Sequence, residues 1–141
     1  MTSYKPTPDA LKAMIEKAQS KLNVAKKDFE SGFFGDASSR AYYAVFHAMT
    51  AVLAEKGLVF SSHAQTIGAF NRKFIKENIF PPDTYKIIQR LFDNRQMADY
   101  DWNLSIDREQ AQQDITDAER LINKCHRHLE THTGFSFTSE E

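Results

Sequence analysis

The chain has 141 residues, 41% hydrophobic and 26% charged, which fits one compact domain and excludes a disordered chain. Lys and Arg number 18 against 19 Asp and Glu; a net charge of −1 excludes a strongly cationic protein holding nucleic acid by charge alone, and leaves room for a local basic pocket. A lone Cys125 excludes an internal disulfide and a multi-cysteine zinc centre, and no apolar run approaches the roughly 18 residues of a membrane helix. With no signal-peptide core at the amino terminus, the chain reads as a soluble cytoplasmic protein.

Thr7-Pro8 supplies an N-cap and a proline at the first helical position, where the missing N–H costs nothing. Leu11, Ile15, Ala18, Leu22, Ala25 and Phe29 then alternate in steps of four and three, predicting an amphipathic helix that ends near Gly32. Asp36 is placed to cap a second helix through Glu55, closed by Gly57. Ser62 and Gln65 have capping-box spacing and open a third, striped by His63, Ile67, Phe70 and Phe74. Pro81-Pro82-Asp83 starts a fourth, with Tyr85, Ile88, Leu91, Phe92 and Arg95 towards one side. Asp107 and Gln110 repeat the capping-box spacing before a fifth, striped by Ala111, Ile115, Ala118, Ile122, Cys125 and Leu129. No stretch alternates with period two over more than a few residues. The expectation is an all-α antiparallel bundle of four to five helices, with a single domain over 1–132 and a flexible tail over 133–141.

Three clusters could carry chemistry. On the second helix Arg40, Tyr43, His47 and Thr50 share one face, amid the packing groups Tyr42, Val45, Phe46, Met49 and Leu53. A guanidinium, a phenol and an imidazole in a row suit a phosphate and a base; alternatively their polar tips find partners inside the bundle. At the end of the fourth helix stands Asn94-Arg95-Gln96-Met97-Ala98-Asp99-Tyr100. Arg95 falls on the apolar stripe, so it either lines a cleft or pairs with Asp99 one turn later. His63 leads the third helix, as a packed or capping residue or as a site residue. Near the carboxyl end His128 and His132 have an i, i+4 spacing that suits a metal or, equally, cations at a helix C-terminus. No carboxylate or third histidine is placed to complete a metal site there, so no metal and no cofactor is expected.

The run Ser39-Arg40-Ala41-Tyr42-Tyr43-Ala44-Val45-Phe46-His47-Ala48 resembles the helix-two signature of HEPN domains. His63 with Phe70 and Phe74, then Arg95-Gln96-Met97-Ala98-Asp99-Tyr100, is similar to the small prokaryotic branch ending in Arg-x-x-Ala-Asp-Tyr. The resemblance runs from about Ala10 to Leu129. It implies a helical bundle that commonly dimerises, with a functional cleft at the dimer interface. Many such proteins are encoded beside a minimal nucleotidyltransferase and act as the toxin of a toxin–antitoxin pair. Active members are metal-independent endoribonucleases with an Arg, four to six residues, then His. An imidazole moves the proton as the RNA 2′-hydroxyl attacks the adjacent phosphate, and the guanidinium stabilises the developing charge.

Here, after four intervening residues, Arg95 is followed by Tyr100, not His. An unperturbed phenol titrates near pH 10, a poor general base at neutral pH. Arg40 and His47 meet the spacing on a different helix. The resemblance therefore points to a nucleotide- or RNA-binding homodimer working with a nucleotidyltransferase partner. Its expected cleft holds Arg40, Tyr43, His47, His63, Asn94, Arg95, Asp99 and Tyr100. The alternatives are a metal-independent ribonuclease, with Arg95, Tyr100 and His47 as the candidate catalytic groups and His47 or His63 replacing the missing imidazole, and a non-catalytic helical adaptor.

Overall fold

In the computed structural model, residues 5–100, 105–134 and 136 are described, and among them five α-helices and no strand occur. Helix α1 covers Pro8–Glu30. Thr7 Oγ1 accepts the Ala10 N–H at 3.2 Å, and the stripe Leu11, Ile15, Ala18, Leu22, Ala25 is buried as its spacing predicts. The helix closes on Gly32 at φ 85°, a left-handed conformation that glycine adopts without a Cβ penalty. There the Phe33 N–H reaches Asp28 O at 2.8 Å and the Gly32 N–H reaches Phe29 O at 3.0 Å.

That turn corrects one expectation. Helix α2 covers Phe34–Glu55 and begins two residues before Asp36, which lies inside the first turn and caps nothing. The tight end of α1 already orients the chain, so α2 starts without a side-chain cap and Asp36 faces only the helix dipole. Its end falls where expected, with Gly57 at φ 78°. Helix α2 is the centre of the molecule and packs against α1, α4 and α5. Ala37, Ala41, Ala44, Ala48 and Ala51 are all fully buried, small enough to let neighbouring backbones approach closely.

Helix α3 covers His63–Phe70, opened by Ser62 Oγ accepting from the Gln65 N–H at 3.1 Å. It runs into a π-helical turn, Asn71–Ile75. The expected stripe crosses that turn: Phe70 and Phe74 are buried and stack at 5.1 Å, with Phe80 edge-on to both. Helix α4 covers Thr84–Tyr100 and begins after the two prolines. Its inner face is Thr84, Ile88, Leu91, Asn94 and Arg95, so Tyr85 lies off the stripe and is 41% exposed. Helix α5 covers Arg108–Thr133 and opens with the full capping box: Asp107 Oδ1 accepts from the Gln110 N–H at 2.8 Å, and Gln110 Oε1 accepts from the Asp107 N–H at 2.9 Å. Of the expected tail, Thr133 ends α5 and Gly134 is its left-handed cap; positions 135 and 137–141 lie outside the described residues.

A buried carboxylate fixes α4. Asp114 of α5 is fully buried and accepts from Ser38 Oγ of α2, from Asn94 Nδ2 at 2.9 Å and from Arg90 Nε at 3.1 Å. Arg90 also donates to Asp117 at 2.6 Å. Two α4 side chains, one of them adjacent to Arg95, are thereby tied to α2 and α5. Cys125 is fully buried in the core. His128 and His132 stack at 3.9 Å, and burial first, then His132 and Lys56, push His128 down to about 4. His128 is thus neutral at pH 7 and is not one of the cations at this helix end.

Candidate functional site

Arg95 decides the site. It is only 8% exposed, and its Nε is buried with no hydrogen-bond partner. Four aromatic rings surround the guanidinium: Tyr42 and Phe92 at 5.1 Å from Cζ, Tyr43 at 5.5 Å and Tyr100 at 5.8 Å. The Tyr100 hydroxyl stands 3.5 Å from Nη1, while the Tyr100 side chain is 71% exposed at the rim. No ion pair joins Arg95 to Asp99 or to any other acid among the described residues, although Asp99 lies one turn away. Asp99 is exposed on the outside of α4.

Tyr42 and His63 complete the arrangement. The Tyr42 hydroxyl is 2.6 Å from His63 Nδ1, a contact across 21 residues. Burial raises the phenol to about 12, against the opposing pull of Arg95, so Tyr42 keeps its proton. His63 stacks on Phe46 with centroids 3.9 Å apart, and Tyr43 meets it edge-on at 6.0 Å. Burial first, and the Arg95 charge second, hold His63 below the usual histidine value. At pH 7 it is a neutral imidazole beside a fixed cation.

The remaining expected residues lie elsewhere. Arg40 is half-exposed and its Nε donates to Asp28 of α1 at 3.0 Å. Asn94 is engaged with the buried Asp114 of α5. His47 stands near α1, where burial, then Lys17 and Lys21, and then His63, lower its pKa. The structure therefore gathers Tyr43, His63, Arg95 and Tyr100 from the expected set and adds Tyr42, Phe46 and Phe92. Tyr42 was legible only as a packing group, because no local spacing connects it to His63.

A model of the HEPN domain family matches residues 11–129. The chain belongs to the HEPN domain family. Two proteins of Methanocaldococcus jannaschii that carry the name “Putative toxin” are similar to it. One is 30% identical over 119 residues, covering 84% of this chain and 81% of that protein; the other is 33% identical over 121 residues, covering 86% and 90%. A Thermotoga maritima protein named a UPF0332 protein is 31% identical over 114 residues, covering 81% of this chain and 86% of that one. In this HEPN domain the Arg–x4–Tyr sequence closes on itself, with the Tyr100 ring over the Arg95 guanidinium. No described helix is long and apolar enough to cross a membrane.

Proposed function

We propose that this HEPN domain is a toxin-like RNA-binding protein whose Arg95 guanidinium receives an RNA or nucleotide phosphate. One observation carries this reading: a buried cation that meets no carboxylate among the described residues. Desolvating an ion costs several kcal/mol. Each ring face offsets about 0.5–2 kcal/mol of that cost, and no acid among the described residues adds to that offset. A phosphate would supply the missing charge beside Nη1, with Tyr100 at the mouth of the site. The names of the two archaeal relatives support a toxin role. We further propose a cytoplasmic homodimer acting with a minimal nucleotidyltransferase in a toxin–antitoxin-type module. Its unit is the single helical domain, with α5 running to Thr133.

The test is fluorescence anisotropy with a labelled single-stranded RNA at two salt concentrations. The native chain should bind with a salt-dependent affinity, and Arg95→Met should lose binding. Unchanged binding by that variant would remove the phosphate site.

The position of His63 favours a second reading, a metal-independent endoribonuclease. In the tautomer whose Nδ1–H donates to the Tyr42 oxygen, the neutral imidazole keeps the Nε2 lone pair to accept a proton from RNA. It would accept the 2′-hydroxyl proton as the 2′-oxygen attacks phosphorus and return it to the departing 5′-oxygen, leaving a cyclic 2′,3′-phosphate and a 5′-hydroxyl. Arg95 would stabilise the extra negative charge on the phosphoryl oxygens. His63 takes this role more readily than His47, since it faces Arg95 from the start of α3.

A further inference from the structure

We propose that the cavity between α3 and α4 receives one unpaired nucleobase of the RNA; this rests on the reading of Arg95 as the phosphate site. The cavity holds about 330 Å³, at the lower end of small-ligand pockets. His63, Ile67, Asn71, Tyr85, Gln89 and Phe92 line it. Neither an acid nor a Lys or Arg is among its lining residues, so nothing there suits a phosphate. What it offers is flat and neutral. Tyr85 and Phe92 present aromatic rings on which any base can stack. The Asn71 and Gln89 amides each carry a donor and an acceptor, the groups that read a base edge when it is not paired.

Three further features favour this occupant. His63 and Phe92 are shared walls: both line the cavity, Phe92 lies 5.1 Å from the Arg95 guanidinium, and the Arg95 charge acts on His63. A base in the cavity would therefore adjoin a phosphate at Arg95, as base and phosphate adjoin within one nucleotide. Tyr85 is 41% exposed, an aromatic at the rim of the cavity. Asn71 is also the first residue of the π-helical turn, a distortion that recurs at binding sites.

The experiment compares two labelled six-nucleotide strands by anisotropy at one salt concentration. One is a 2′-O-methyl RNA, which cannot be cleaved through its 2′-oxygen. The other has the same backbone with abasic residues. The native chain should bind the base-bearing strand roughly tenfold more tightly. In Tyr85→Ala that ratio should collapse towards one, and in Gln89→Ala any preference among the four homopolymers should flatten. Both side chains are exposed, so circular dichroism should remain that of the native chain. Equal affinity of the native chain for the two strands overturns the base pocket, as does a Tyr85→Ala variant that keeps the full ratio. Neither result touches the phosphate site, which fails separately if the abasic strand binds Arg95→Met as well as native. Absence of binding to both strands overturns both readings.

Discussion

The Tyr42 hydroxyl lies 2.6 Å from His63 Nδ1, joining the middle of α2 to the first residue of α3. One member is a phenol held protonated by burial and the other an imidazole held neutral by burial and a nearby guanidinium. The pair therefore carries no net charge at pH 7, and Arg95 is the cation of the cluster. His63 should titrate below 6.5 when its ring protons are followed by NMR. Arg95→Met removes the like charge, so the midpoint should move up towards 6.5. A midpoint indifferent to that substitution would separate His63 from Arg95.

The same variant distinguishes binding from stability. Among the described residues Arg95 has no carboxylate partner, so Arg95→Met leaves none of them unpaired and keeps an unbranched chain among the rings. Its thermal midpoint should match or exceed that of the native chain, as when buried ions are replaced by apolar groups of similar size. RNA binding should be lost, and the salt slope of any residual binding should fall by about one. A large drop in midpoint would mark Arg95 as a structural brace.

Asp114 should behave in the opposite way. It is fully buried and accepts from Ser38, Asn94 and Arg90, so Asp114→Ala strands three donors at once. The expected cost is about 3–5 kcal/mol, read by urea denaturation. Ser38→Ala removes one donor and should cost about 1 kcal/mol. Equal effects of the two substitutions would mean that the carboxylate is not the hub of the network.

Histidines set the acid limb of stability. His128 binds its proton near 6.5 when unfolded and at about 4 when folded, so between these values the unfolded chain holds more protons. Stability therefore rises with pH from 4 to 6.5 and gains nothing more from His128 above that. His47 and His63, both lowered, act with the same sign. Unfolding free energies from urea titrations at pH 4.5 and 7.5 should differ by on the order of 2 kcal/mol from His128, and His128→Gln should flatten that slope. An unchanged slope in His128→Gln would place the titration elsewhere.

Cleavage of single-stranded RNA in chelator tests the enzymatic reading. His63→Ala should abolish native cleavage, which rests on proton transfer worth roughly 10²- to 10⁴-fold. His47→Ala should retain it, because His47 lies towards α1. Tyr100→His places an imidazole over the guanidinium and should raise the rate. Native cleavage that depends on His47 and ignores His63 would reverse these assignments.

The sequence by itself determined the helices. Stripes at steps of three and four, the Thr7 cap and the Asp107–Gln110 box are local properties, read within one or two turns, and each reappears in α1 or α5. Arg95 was conspicuous for the same reason, a guanidinium on an apolar stripe. Local spacing also fixed that Arg40, Tyr43 and His47 share a face, yet it could not say what that face meets. Only the tertiary structure decided that Arg40 turns to Asp28, that Asn94 serves Asp114, and that Arg95 meets rings in place of Asp99. It also brought Tyr42 to His63 across 21 residues of chain. Helix periodicity constrains neighbours three and four residues apart; the packing of α4 and α3 around α2, which sets where a buried charge finds its partner, depends on contacts that no local pattern records.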